Sequence, residues 1–368
     1  MHIKISKSAL SEALNTVASV VASKASLSVL QNVKISVKDG KAIFVCSDLD
    51  TTLVANAECE VIESGATTVP IRTFSTAVSK VVDGTLDIKV DEGDVTKLAA
   101  GSSKFSFKGV SAKEFPTINC ADGQPVTFKA AAIREMLRKT EFAMSEDETR
   151  VALNSVLLDF SQGGGNAVAV ATDGRRLSML NCTVEVPEGF KSQFVLPRKA
   201  VEVLTKKLPK DGDCNIISSG NQLRFVTSKF EFYTKLLDQK YPNYIQVVPK
   251  EENPAKVVVD RVELLGALDR VSVFTMTDSP VVILSFGENC LGLSSGHTDY
   301  GSSSDEIPIK YVGDKFEMRF NPQYLRDALS SLDENEVEIS LISETSPIVI
   351  RKADAADYTY VCMPLRMA

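Results

Sequence analysis

Apolar residues recur three and four positions apart in PIRTFSTAVSKVVDG at 70–84, PRKAVEVLTKKLPKDG at 197–212 and NPQYLRDALSSLDEN at 321–335. That spacing predicts amphipathic helices, each begun near a proline and ended by acidic or Gly/Asn-containing residues. The prolines at 70, 197 and 322 stand 127 and 125 residues apart. A strand-like run leads into each helix (TTV, FVL, MRF) and another follows it (LDIKV, CNII, VEISL). The same unit therefore occurs three times.

A second helical pattern keeps the same period in SKSALSEALNTVASVVA at 6–22, KAAAIREMLRKTEFAM at 129–144 and DRVELLGALDRVSVF at 260–274. Each follows an opening strand (HIKI, VTF, KVVV) and presents one apolar stripe. Hairpin patterns come next: VKISVKD-GKAIFVCSD, SVLLDFSQGGGNAVAVATD and VILSFGENCLGLSSG, with Gly, Asp and Asn at the turns. The glycines at 163–165 precede a strand pattern instead of a helix, so they do not read as a phosphate-cradling loop. Breaks at DGQP (122–125) and PKEENPAK (249–256) divide the chain into 1–122, 123–249 and 250–368. The predicted class is α+β, built from sheets with helices on one face. The edges of three such sheets need partners, which sharing between units would supply.

Composition narrows the chemistry. No apolar run approaches the length of a bilayer span and the start does not read as a secretory signal, so a soluble, cytoplasmic protein is expected. Seven scattered cysteines without a CxxC pair argue against a disulfide framework or a zinc ribbon. Two histidines, His2 and His297, leave little for a His-based metal site or a nucleophilic triad. A net charge of −7 disfavours general avidity for nucleic acid, yet basic residues are uneven. Residues 197–210 carry five of them against Glu202, while 322–335 are net acidic.

The run ATDGRRL at 171–177 joins a strand pattern to an Asp-Gly turn and two arginines. Taken alone it suits a structural turn, a nucleic-acid contact or a docking point for another protein. Asp48 and Asp50 in SDLDTTL offer an i, i+2 carboxylate pair for a divalent cation, the one opening for an enzyme such as a nuclease. A three-unit architectural or peptide-binding array is the other alternative.

Five segments also carry a family likeness: TTVP at 67–70, VATDGRRL at 170–177, VLPRK at 195–199, YPNYIQVVP at 241–249 and YVCMPLRM at 360–367. In this order, over essentially the full length, the chain resembles the bacterial DNA polymerase III beta subunits, the replicative sliding clamps. The resemblance implies a DNA-clamp fold with three similar domains per chain. It implies a head-to-tail homodimer forming a six-domain ring, helices lining the hole and sheets outside. Such a protein is a non-catalytic processivity factor without cofactor or metal that encircles duplex DNA and slides without reading its sequence. Its partners would be the DNA polymerase III catalytic subunit, the clamp-loader complex, and other polymerases and repair proteins carrying clamp-binding motifs. It would be nucleoid-associated during replication.

Carried over by position, the resemblance assigns a hydrophobic pocket for partner peptides to Leu153, Thr172, Gly174, Arg175, Arg176, Leu177, Pro242, Val247, Val361, Met363, Pro364, Leu365 and Arg366, with the arginines at its rim. It turns Lys24, Arg72, Lys80, Arg134, Arg138, Lys139, Arg198, Lys199, Lys206 and Lys207 toward DNA. The dimer interface falls to Phe74, Val78, Val81, Phe105 and Phe107 on one end and to Val273 and Phe274 on the other. The chain departs from the family in three places. Val151 and Ala152 replace an aromatic pair in the DNA-contacting loop 146–152, Arg175 stands where histidine is frequent, and Ala368 extends the usual end.

Overall fold

A computed structural model of the chain describes residues 1–21, 27–117, 123–161, 165–184, 192–249, 255–276, 278–296, 300–353 and 355–365. Its six α-helices among these residues are α1 (Lys7–Val17), α2 (Ile71–Lys80), α3 (Ala130–Arg138), α4 (Arg198–Lys207), α5 (Arg261–Val271) and α6 (Pro322–Ser331). They fall where the two repeated patterns predict them, with a common correction at the first set. Each of α1, α3 and α5 is shorter than its apolar pattern and continues into a 3-10 turn, at Ala18–Val20, Glu141–Ala143 and Ser272–Phe274. Thr16, Thr140 and Ser272 each donate a side-chain hydroxyl to the carbonyl four residues back, at 2.8, 2.8 and 2.5 Å. Such back-bonding competes with the helical ladder near the places where the α-helices end. In the second set Pro70 and Pro197 close the preceding strands, and only Pro322 lies inside its helix, where Asn321 caps the Gln323 N–H at 2.9 Å.

By compactness the chain forms two units, Met1–Arg134 with Glu202–Leu236, and Glu135–Val201 with Leu237–Ala368. In the first, an eight-stranded sheet runs in the order Val126–Lys129, Asp213–Ser219, Gln222–Val226, Phe230–Lys235, Thr51–Glu58, Lys41–Ser47, Asn32–Lys38, Gly65–Pro70. A five-stranded sheet of Glu60–Glu63, His2–Ser6, Thr85–Asp91, Val95–Ala100 and Ser103–Lys108 accompanies it. The Lys38–Lys41 hairpin turns through Asp39 and Gly40, both at positive φ, the conformation that a two-residue loop between right-twisted strands requires. Helix α2 buries Ile71, Phe74, Ala77 and Val78, and Phe74 meets Phe107 of the five-stranded sheet edge-to-face at 5.2 Å. Ile71, Phe74 and Val78 each contribute about 1.5–3 kcal/mol and the Ala77 methyl about 0.8 kcal/mol.

The second unit repeats the plan. Its eight-stranded sheet is ordered Gln193–Pro197, Ser155–Asp159, Asn166–Thr172, Arg176–Thr183, Ala355–Cys362, Ile348–Lys352, Glu336–Leu341, Ala255–Asp260. A four-stranded sheet holds Ser304–Pro308, Cys290–Ser295, Val282–Gly287 and Phe316–Phe320. Both large sheets join sequence repeats edge to edge. Phe230–Lys235 pairs with Thr51–Glu58, and Arg176–Thr183 pairs with Ala355–Cys362. Every strand edge used this way is withdrawn from solvent, which is why the compact units cut across the repeats.

Candidate functional site

The chemistry of ATDGRRL begins with its turn. Asp173 Oδ1 accepts from the backbone N–H groups of Arg175 and Arg176 at 2.8 and 3.0 Å. Thr172 Oγ1 donates to the Arg176 carbonyl at 2.6 Å and accepts from Gly174 N–H at 3.1 Å. Gly174 sits at φ +86°, where a side chain is disfavoured, and a Cβ there would also come within 2.9 Å of the Arg150 guanidinium. Arg150 itself donates to the Asp173 carbonyl at 2.9 Å. The turn is thus fixed from within and from outside before any partner arrives.

The following strand brings in the C-terminal segment. Leu177 lies opposite Val361 and Arg176 opposite Cys362, and Met363 N–H donates to the Arg175 carbonyl at 2.9 Å. A mostly apolar cavity of about 210 Å³ opens between these pieces, lined by Leu153, Thr172, Gly174, Arg175, Arg176, Leu177, Pro242, Val247, Val361 and Met363. Leu177 and Val361 form a buried floor, while Val247 and Met363 are exposed at the mouth. The floor belongs to a cluster with Leu157, Val170, Tyr241 and Tyr244. Tyr241 donates to the Val170 carbonyl at 3.3 Å and Tyr244 to the buried Asp159 at 2.9 Å, so the floor is anchored by polar bonds as well as packing. Burial pushes the Cys362 thiol up to about 12, so it stays protonated and unreactive beneath the site.

Three placements differ from the sequence reading of the pocket. Pro364 and Leu365 line a neighbouring cavity of about 820 Å³ with Glu317, Arg319 and Glu344, and Met363 is the wall that the two cavities share. Leu365 N–H donates to the Arg319 carbonyl at 2.7 Å, which draws the tail to that side. Arg366 lies outside the described residues. Arg176 lines the cavity but is no rim charge. Its guanidinium bonds Asp173 at 3.0 Å, Asp327 at 2.5 Å and the Phe142 carbonyl at 2.7 Å, and stacks 4.4 Å above the Tyr324 ring. Arg175 alone is the exposed arginine of the pair. Sequence reasoning missed Arg150, Tyr324 and Asp327 because their partners are far away in the chain. The acidic stretch Glu146-Asp147-Glu148 before Arg150 pointed elsewhere.

The basic residues divide in a similar way. Arg72, Lys80 and Lys206 are exposed and Lys199 is half-buried. Lys139 is 2% exposed, its ammonium bonded to the Ser331 carbonyl and, at 3.3 Å, to Asp333, so it cannot face DNA. It follows α3 on the face that carries buried Met136 and Thr140, which turns its side chain inward. Arg138 is held between Glu135 and Asp333, both at 2.9 Å, and its charge is largely matched there. Arg134, Arg198 and Lys207 donate to the carbonyls of Thr205, Ser145 and Asn15 at 3.2, 2.9 and 2.7 Å. Lys24 lies outside the described residues.

The interface assignment also needs correction. Phe74, Val78, Val81 and Phe107 are buried in their own unit's core, because the inward stripe of α2 meets the inward face of Ser103–Lys108. Phe105, half-buried on that same edge strand, keeps part of its ring at the surface, as does Phe274. Val273 is 73% exposed. Asp48 is used by its own turn, and Asp50 pairs with Lys235 at 2.8 Å. Among the described residues no group of three or more His, Cys, Asp and Glu side chains is placed to hold a metal, and no helix is long and apolar enough to cross a membrane.

Comparison with known proteins agrees over the whole length. Models of the N-terminal, central and C-terminal domains of the DNA polymerase III beta subunit match residues 1–119, 127–243 and 245–366. The beta sliding clamp of Pseudomonas aeruginosa is 31% identical, with 100% of both chains covered. The crystal structure of the Pseudomonas aeruginosa DNA polymerase III subunit beta superposes with a TM-score of 0.93 at 30% identity, and a sliding clamp of that organism bound to griselimycin gives 0.94 at 30%. The Bacillus subtilis sliding clamp gives 0.94 at 25%, and each of the three structures and this chain cover one another fully. Three clamp domains in one mixed α and β chain, matched from end to end, mean that this chain belongs to the DNA polymerase III beta subunit family.

Proposed function

We propose that the chain is a processivity factor: a head-to-tail homodimer whose six domains, bounded near residues 122 and 249 in each subunit, close around duplex DNA and slide. A tether that must stay on DNA through many base pairs gains from enclosure and loses from tight base contacts. The exposed cations Arg72, Lys80 and Lys206 suit transient phosphate contacts, and the exposed Val273, with Phe105 and Phe274, suits closure between unlike ends. A protein that encircles bacterial DNA would act in the cytoplasm, at the nucleoid during replication.

The observation that carries the tethering reading is the anchored apolar cavity between the Asp173–Gly174 turn and the C-terminal strand. Its buried floor and exposed Met363 and Val247 fit a leucine, phenylalanine or methionine side chain of an extended peptide, with methionine adapting to its shape. The peptides are the clamp-binding motifs of the DNA polymerase III catalytic subunit, the clamp loader, and other polymerases and repair proteins. A fluorescent Gln/Leu/Phe-containing peptide tests this. Met363→Asp, a change at an exposed position, should lower its affinity at least tenfold with unchanged melting and solution mass, since desolvating the new carboxylate costs more than about 1.4 kcal/mol. Full affinity in a folded Met363→Asp variant rejects the pocket.

A further inference from the structure

The turn that shapes the pocket occurs a second time in the chain. Between Lys41–Ser47 and Thr51–Glu58, Asp48 Oδ1 accepts from the N–H groups of Asp50 and Thr51 at 3.0 and 2.6 Å. Asp173 treats Arg175 and Arg176 in the same way. Ser47 Oγ donates to the Thr51 carbonyl at 3.1 Å and accepts from Leu49 N–H at 3.1 Å, matching Thr172 with Arg176 and Gly174. Leu49 stands at φ +80° where Gly174 stands at +86°. Thr51–Glu58 then pairs with Phe230–Lys235, and Lys235 N–H donates to the Asp50 carbonyl at 2.9 Å, as Met363 N–H does to Arg175.

The copy has its own cavity, of about 190 Å³, with Leu49, Pro116 and Tyr233 as apolar wall and Gln222, Asp50 and Lys235 among its polar lining. Leu49 is the informative residue. It holds a backbone conformation that favours glycine and the residue is 44% exposed, two costs of which the bonds of Ser47 and Asp48 offset only the first. A ligand that covers Leu49 offsets the second.

Charge distinguishes the copy from the pocket. Asp50 occupies the place of Arg175, and Lys235 that of Met363. Lys235 takes Oδ1 of Asp50 at 2.8 Å in a pair exposed on both sides, which is weak and easily re-partnered. Oδ2 has no hydrogen-bond partner among the described residues, and a planar guanidinium suits a carboxylate oxygen held in this way.

We propose that the Asp48–Thr51 turn, Pro116 and the end of Phe230–Lys235 form a second peptide site, taking a short extended segment in which an arginine adjoins an aliphatic or aromatic anchor. The site borrows its form from the first pocket's proposed role, but its test is independent. The probes are a labelled, end-capped hexapeptide Gly-Arg-Leu-Phe-Arg-Gly and a twin with Glu in place of Arg, titrated against the full chain. Leu49→Gly removes the anchor contact and keeps a residue at ease with that φ, so the fold should be retained and melting should confirm it. The basic peptide should bind the parent and Met363→Asp equally and lose about tenfold in Leu49→Gly. Asp50→Asn should weaken it by about threefold to tenfold, and the Glu twin should bind less tightly than the Arg peptide. Unchanged affinity in Leu49→Gly and Asp50→Asn, or no binding at millimolar peptide, overturns the proposal. Loss in Met363→Asp with retention in Leu49→Gly also overturns it, because the peptide then occupies the first cavity. The clamp-motif peptide is titrated beside it, so that each site stands or falls separately.

Discussion

Arg176→Ala separates a structural arginine from a rim arginine within one dipeptide. The Arg176 side chain is 10% exposed, and removing it strands Asp327 and Asp173, which are 21% and 14% exposed, together with the Phe142 carbonyl. Breaking a fully buried pair costs about 3–5 kcal/mol, and a stranded carbonyl adds to this. Both carboxylates keep some water, so the net loss should be about 2–4 kcal/mol. Arg175→Ala, at an exposed position with no such partners, should change stability by less than about 0.5 kcal/mol. The chain has no tryptophan, so near-ultraviolet tyrosine dichroism, sensitive to Tyr324 and Tyr360 beside the guanidinium, should be followed in urea with far-ultraviolet dichroism. A chain of several domains need not unfold in one step, so the comparison is made on the transition that both probes report. Peptide affinity should fall in both variants, but in Arg175→Ala without any loss of stability. If Arg176→Ala unfolds within about 0.5 kcal/mol of the parent, the reasoning that makes it a structural residue fails.

Other consequences are equally concrete. Lys139→Met should cost about 1–3 kcal/mol, because the Ser331 carbonyl loses its donor, yet leave DNA retention unchanged; reduced retention with full stability would return Lys139 to the DNA-facing set. Glu135 is raised by burial but more strongly lowered by Arg138 and Lys139, and Asp333 is raised by burial but lowered more by Lys139 and Arg138. Folded pKa values below the unfolded ones mean that this stabilisation is present above the ordinary carboxylate range and is lost as pH falls through the folded values. Melting temperature should therefore drop on acidification below about pH 4, less steeply in Arg138→Gln, and equal slopes would contradict the cluster's role. Val273→Asp should shift a dimer toward monomer in sedimentation at micromolar concentration, because closing the interface would bury an unpaired carboxylate; an unchanged dimer would remove Val273 from the interface.

What could be read from the sequence was local or periodic. The inward stripe of α2, the Asp39–Gly40 hairpin and the Asp173–Gly174 turn depend on residues a few positions apart, and each occurs where the pattern puts it. The pocket came through the family likeness, since Leu177 and Val361 are brought opposite one another only by pairing between remote strands. Burial of charge was illegible for the same reason. Lys139 finds Ser331 and Arg176 finds Asp327 across more than a hundred residues, and in one dimension each reads as a solvated cation. Phe74 and Phe107 are a related case: alternation identifies an apolar face but does not say whether its own core or a partner covers it. The recurrence of the pocket's turn at Asp48 was masked by composition, since Leu49 and Asp50 share no residue type with Gly174 and Arg175.

The central claim is enclosure of DNA. The protein, loaded onto nicked circular duplex by a clamp loader with ATP, should remain on the circle through a high-salt gel-filtration step that removes phosphate-bound proteins, and should be released when a restriction enzyme linearises the circle. Screening abolishes electrostatic affinity but leaves a closed ring in place, so retention must depend on topology and hardly on salt. Equal salt-dependent loss from circular and linear DNA would contradict the account.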